Sequence, residues 1–226
     1  MDLNLILESL PQLLSGTVVT VELVALSLVL GLVLAVGIAV LRLSGIRAVS
    51  MLAGGYTFLF RSTPLLVQIF LIYYGLGQFE TVRESILWPF LREPYWCAIL
   101  ALTLNTAAYT GEIIRGGIRA VPFGQIEAAR AVGMSGRLLF RRIVLPQAFR
   151  QALPAYGNEM IQMVQASSLA STITLMELTG AARAIASRTF QPVEVFVIAG
   201  ALYLAMNYAL TRIVRAAEAR LAHERR

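Results

Sequence analysis

Lysine is absent from this 226-residue chain: all 19 basic residues are arginines, set against 13 acids for a formal charge of +6. Charge of either sign is scarce, at 14% of residues, while 58% are hydrophobic and the mean hydropathy is +0.71. An ordinary soluble domain carries about a quarter charged residues, so that class is excluded. Cysteine and histidine occur once each, as Cys97 and His223. A single thiol cannot close an internal disulfide, and the two side chains together offer no metal site. The sequence also lacks a nucleophile–base pair, a GxxxxGK[ST] phosphate loop, internal repeats and low-complexity linkers, which argues against an intramembrane enzyme. Asp2 and Glu8 stand where a secretory signal would be basic, so the first apolar run is expected to be retained.

Long uncharged runs are what the chain has instead. They extend from Leu23 to Leu41, Thr63 to Phe79, Pro94 to Gly111, Met160 to Met176 and Val195 to Thr211. Each is near or slightly under the roughly 20 residues a helix needs to cross the hydrocarbon core. The expected fold is an all-α integral membrane protein, a single domain over 1–226, with five transmembrane helices at about 17–41, 52–79, 94–114, 152–176 and 193–213. Arg42 and Arg47 follow the first span, seven arginines lie between positions 115 and 150, and five more occupy the tail from Arg212. Only Arg83, Arg92, Arg183 and Arg188 fall on the other side. The positive-inside rule then puts the N-terminus outside and the C-terminus in the cytoplasm. Topology and anionic lipid account for the positive charge without nucleic acid.

Several local features qualify this plan. Residues 1–16, with two acids and Pro11, read as a short interfacial helix on the outer side, and Glu22 enters the first span about one turn deep. Pro64 disfavours helix at Thr63, so a break at Arg61-Ser62-Thr63-Pro64 is expected to turn Arg61 toward a cavity or to the headgroup level. Trp88, Tyr95 and Trp96 suit an aromatic belt. Five spans cannot form two equal inverted halves, which favours pairing with a second subunit.

The arginine-rich connector at about 119–150 carries defined punctuation. Pro122 suits the start of a helix running to about 132, Gly133 its left-handed cap, and Ser135 the cap of a second helix that Pro146 limits. Leu138, Leu139, Ile143 and Leu145 offer one face for burial. The result is a two-helix cytoplasmic knob.

Polar residues inside the apolar runs mark a second candidate. Asn158, Gln162 and Gln165 lie at i, i+4 and i+7 with Glu159 beside them, and Asn105, Tyr109 and Glu112 repeat that spacing. Such a face lines a water-filled route or a subunit contact, because intramembrane polar and charged groups are costly. For Glu112, pairing with Arg115 or Arg119 is the alternative, and for Glu159 a structural ion pair.

The full spacing Glu127-Ala128-Ala129, Gly133, Ile143, Leu145-Pro146 resembles the cytoplasmic signature of ATP-binding-cassette importer permeases. Residues 61–68, 104–113, 119–129 and 153–159 narrow the resemblance to polar amino acid permeases, closest to those serving histidine, arginine, lysine, ornithine and opines. The resemblance implies a transport subunit without catalytic residues in the bacterial cytoplasmic (inner) membrane. It implies a coupling loop docked on two ATP-binding subunits, a homologous permease or second copy alongside, and a periplasmic or extracellular solute-binding protein. ATP and Mg would be held by the partner ATPase, and this chain would bind no cofactor. Importers of neutral or acidic amino acids, or of another small polar solute, are the runner-up reading. The chain departs from many relatives at Gln165-Ala166-Ser167-Ser168-Leu169, where they carry Lys or a Lys–acid pair, and at Ser62, where they often have Gly.

Overall fold

The computed structural model describes residues 3–223 and is helical throughout, with no strand among them. Asp2 of the expected outer segment, and Arg225 and Arg226 of the tail, lie outside the described residues. The helices in order are α1 (Leu3–Leu43), α2 (Arg47–Ser62), α3 (Leu65–Phe70), α4 (Glu80–Arg83), α5 (Trp88–Leu91), α6 (Pro94–Arg119), α7 (Phe123–Ala131), α8 (Gly136–Leu139), α9 (Leu145–Ala166), α10 (Leu178–Thr189) and α11 (Pro192–His223).

Two expectations change at once. The segment before Gly16 is no separate interfacial helix: α1 continues through Pro11 for 41 residues, roughly 60 Å at about 1.5 Å per residue. Its first turns are held by packing, since Leu5 and Leu13 share a core with Leu178, Ala182 and Ile185 of α10 and Val195 of α11. The stretch after Met176, expected as a loop, contains α10. Its N-terminus is capped by Glu177, whose carboxylate accepts from the Thr179 and Gly180 N–H groups at 2.9 and 2.8 Å. Glutamate is not among the favoured capping residues, which is why the sequence does not announce the helix.

The main core joins Leu23 and Leu28 of α1, Ile69 of α3, Cys97, Ile99 and Leu102 of α6 and Met163 of α9. α6 is the axis, packed chiefly against α1 and then α9, while α11 covers α9. Small residues allow the close crossings. A Cβ on Gly117 would sit 2.6 Å from the Ala148 carbonyl oxygen, and one on Gly31 would run into the Thr106 methyl.

Among the described residues, three helices are long and apolar enough to cross a membrane, within Leu7–Leu43, Pro94–Arg119 and Pro192–Leu221. A fourth arises if Arg47–Ser62 and Leu65–Gln78, bent by 104°, are one broken span. α9 has 22 residues, a length of about 33 Å. It stays outside that apolar set and carries Asn158, Glu159, Gln162 and Gln165.

Candidate functional site

The break between α2 and α3 organises the first site. Thr63 and Pro64 are extended, with ψ of 142° and 133°, as expected for a residue before proline and for the proline itself. The freed backbone acceptors are met by a side chain. Gln68 Nε2 donates to the Phe60 carbonyl at 2.8 Å, to the Thr63 carbonyl at 3.1 Å and to Thr63 Oγ1 at 2.8 Å. Asn105 of α6 completes the clamp, donating to Gln68 Oε1 at 3.0 Å and to the Phe60 carbonyl at 3.3 Å. Irregular backbone at membrane depth is tolerated only where such groups are satisfied or face a cavity, and both conditions hold here.

A cavity of about 620 Å³ opens beside the break, lined by Arg61, Ser62, Asn105, Tyr109, Glu159, Gln162 and Gln165, with Ser168 and Leu169 at one side. The Arg61 guanidinium lies 5.2 Å from the Tyr109 ring centroid, within cation–π range. The Tyr109 hydroxyl donates to the Arg61 carbonyl at 3.4 Å. Glu159 is buried, and its Oε1 accepts from Thr106 Oγ1 at 2.9 Å. The wall thus presents one carboxylate, one guanidinium and several amides to the same space. A zwitterion with a further polar or charged group suits that set.

The sequence-expected residues divide clearly. Asn105, Tyr109, Glu159, Gln162, Gln165 and Arg61 meet at this cavity. Asn158 is exposed on α9 and does not line it. Glu112 is spoken for: Arg42 Nε contacts Oε1 at 3.0 Å, and both Nε and a terminal nitrogen of Arg115 bind Oε2. The expected partner Arg119 is not involved, and Arg42 is an added one. Gln68, Thr63 and Thr106 belong to the site but lie outside the sequence-expected set. For Gln68 a signal existed, a lone amide between apolar neighbours from Leu65 to Gly77.

A second buried carboxylate lies apart from the cavity. Glu177 is 0% exposed, and besides capping α10 it accepts from Tyr203 of α11 at 2.9 Å and from Thr20 of α1 at 3.5 Å. It ties three helices together.

The connector forms the expected two-part knob. Gly133 has φ +79°, its N–H reaches the Arg130 carbonyl at 2.9 Å, and Met134 N–H reaches Ala129 at 3.1 Å. That is the paired C-terminal closure of a helix that only a left-handed residue permits. Ser135 occupies its cap position without a side-chain hydrogen bond. Pro146 does not end the second helix, which continues into α9. The turn Phe140–Val144 is wound as a π-helix, with Leu145 N–H donating to the Phe140 carbonyl. Widening by one residue ahead of the proline relieves its clash with the preceding turn. Leu139 and Val144 are buried with Val121 and Ala129, and Ile143 packs on them, whereas Leu138 and Leu145 are exposed. Glu127 and Ala128 face outward, and Phe123 and Val132 are 65% and 79% exposed at the two ends of α7.

Comparison with known proteins decides the class. The family described as "Binding-protein-dependent transport system inner membrane component" matches residues 27–223. The chain belongs to this family. It is 58% identical over 219 residues to the nopaline transport system permease protein NocM of Agrobacterium fabrum, covering 96% of this chain and 91% of that one. It is 55% identical to the octopine transport system permease protein OccM of Rhizobium meliloti, covering 97% and 89%. The histidine/lysine/arginine/ornithine permease HisM of Escherichia coli K12 is 45% identical over 207 residues, covering 91% and 87%. Among solved structures, an amino acid ABC transporter crystallised with histidines superposes with a TM-score of 0.88 at 35% identity, covering 97% of this chain and 99% of that one. The inward-facing MetNI methionine transporter shares the fold at a TM-score of 0.63 and 20% identity, covering 96% and 99%. The chain is a permease, a transport subunit and not an enzyme.

Proposed function

We propose that this permease imports cationic amino acids or opines, with the cavity of Arg61, Tyr109, Glu159, Gln162 and Gln165 on the solute's route. The observation that carries the reading is the pairing of Glu159 and Arg61 in one polar cavity at a helix break. The Glu159 carboxylate offers negative charge to a cationic side chain, the Arg61 guanidinium meets a carboxylate, and Gln162 and Gln165 replace water around the remaining polar groups. Relatives named for nopaline, octopine and basic amino acids support that solute class over a neutral or acidic one. Asn158 extends the polar face of α9 beyond the cavity, toward a second permease.

In this reading the chain is one domain with five spans, supplied by α1, the broken α2–α3 pair, α6, α9 and α11. The polar α9 crosses inside the bundle. The N-terminus lies outside and the C-terminus in the cytoplasm of the bacterial inner membrane, following arginine placement. The knob from Glu127 to Pro146 docks on one of two ATP-binding subunits, which hold ATP and Mg. A homologous permease or a second copy completes the pathway, and a solute-binding protein delivers the cargo outside. ATP-driven closure of the ATPase pair moves α7 as a lever and exchanges outward-open and inward-open states. The exposed Phe123, Glu127 and Ala128 on α7 support the docking role.

The test is reconstitution in liposomes with the ATPase, the partner permease and the binding protein. Uptake of arginine or an opine should depend on ATP and on the binding protein. Uptake at an equal rate without ATP would identify a passive pore instead.

A further inference from the structure

Where α1 ends, the turn into α2 and the last turn of α6 enclose a pocket of about 340 Å³. Three arginines line it, Arg42, Arg47 and Arg119, together with Ser50, Leu43 and Met51, and no carboxylate does. Arg42 is held in place, its Nε on Glu112 and a terminal nitrogen on the Ser50 carbonyl at 3.2 Å. Arg115 binds the other oxygen of that same glutamate. Two of the four arginines at this corner thus share its single carboxylate, and the surplus charge falls on Arg47 and Arg119. Both are exposed, and neither has a hydrogen-bond or ion-pair partner among the described residues.

The rim of the pocket is apolar. Leu43 and Met51 line it, Met51 being 74% exposed, and Ile46 and Leu52, next in the chain to Arg47 and Met51, are 60% and 78% exposed. A cationic pocket edged by bare hydrocarbon, at the end of a helix that crosses the membrane, matches a molecule with an anionic head and apolar tails. Guanidinium groups bind phosphate oxygens through paired N–H donors, and basic residues near a bilayer are drawn to an anionic surface. A soluble anion would use the arginines and leave the rim unused. A zwitterionic lipid brings its own cation into the pocket.

We propose that this corner binds an anionic phospholipid, its phosphate between Arg47 and Arg119 and its chains over Ile46, Met51 and Leu52. The bound lipid pins the α1–α2 turn to the end of α6, the same three elements that Arg42 joins from inside through Glu112 and the Ser50 carbonyl.

Native mass spectrometry of the detergent-purified transporter complex, titrated with phosphatidylglycerol, phosphatidylcholine or glycerol 3-phosphate, tests this. Phosphatidylglycerol should bind at least tenfold more tightly than either alternative. The double variant Arg47→Gln/Arg119→Gln should lose at least tenfold in that affinity, while Arg47→Lys/Arg119→Lys keeps most of it. Equal binding of phosphatidylglycerol by parent and glutamine variant overturns the proposal. So does glycerol 3-phosphate binding as tightly as the lipid, which would make this a site for a soluble anion. If the double variant does not assemble, Arg119→Gln alone carries the test: a loss of threefold or more supports the site, and no change overturns it.

Discussion

Gln68 shows how much one side chain settles. Its amide nitrogen meets three acceptors around the α2–α3 break, and its oxygen receives Asn105. Truncation leaves the Phe60 and Thr63 carbonyls and Asn105 short of partners, and unmet buried polar groups cost about 1–3 kcal/mol. Gln68→Ala should therefore lower the thermal midpoint of the purified complex and reduce uptake, whereas Val67→Ala, at an exposed neighbour, should leave the midpoint within a degree or two. At this scale the sequence was partly legible. The i, i+4, i+7 spacings brought Asn105 and Tyr109 to the cavity, and Gln162 and Gln165 with them. The same rule carried Glu112 along, and the rule cannot see Arg42, which lies 70 positions away in the chain.

Among the elements, α7 with its Gly133 closure carries the most consequence. A residue with a branched Cβ at φ +79° faces a left-handed penalty of roughly 1–2 kcal/mol. Nothing lies within 4 Å of the position where that Cβ would be, so the cost falls on the turn and not on packing. Gly133→Val should leave the protein inserted and assembled but reduce uptake per ATP hydrolysed by severalfold, while Gly133→Asn, which tolerates that conformation, should retain coupling. Simultaneous assays of ATP hydrolysis and uptake measure the ratio, and an unchanged ratio in the valine variant removes the lever. Punctuation read from Pro122, Gly133 and Ser135 located this knob because caps are local chemistry. Local chemistry could not show that Pro146 is absorbed by a π-turn, nor that α1 keeps its course through Pro11. Those outcomes depend on tertiary partners, Val144 in its small core and Leu5 and Leu13 against α10.

For the molecule as a whole, the telling feature is a polar face left open on α9. Asn158, Gln162 and Gln165 are exposed in the single chain although α9 packs between α6 and α11, and amides do not face lipid without a partner or water. Cys97, the one cysteine of this chain, is 0% exposed and should stay unreactive, so an introduced thiol reports alone on this subunit. In the assembled transporter, Gln162→Cys should react with a membrane-impermeant thiol reagent, and bound cationic solute should slow the reaction. A rate unaffected by solute would place this face off the pathway. Five uncharged runs made the helical class legible from composition. The place of α9 was not, since a helix with amides exposed along one face does not qualify as a span by apolarity.

In the proposed function, selectivity for a cationic solute rests on Glu159. It is the carboxylate of the cavity, buried with a single hydrogen bond from Thr106, and a glutamine in its place would keep the shape and the acceptor while removing the charge. The decisive measurement is ATP-dependent uptake of arginine and of a neutral amino acid by Glu159→Gln and parent transporters in the same liposomes, each solute supplied at saturating binding protein. Arginine uptake should fall at least tenfold while neutral uptake changes less than twofold. Equal losses for both solutes would contradict the assignment of Glu159 to the cationic group.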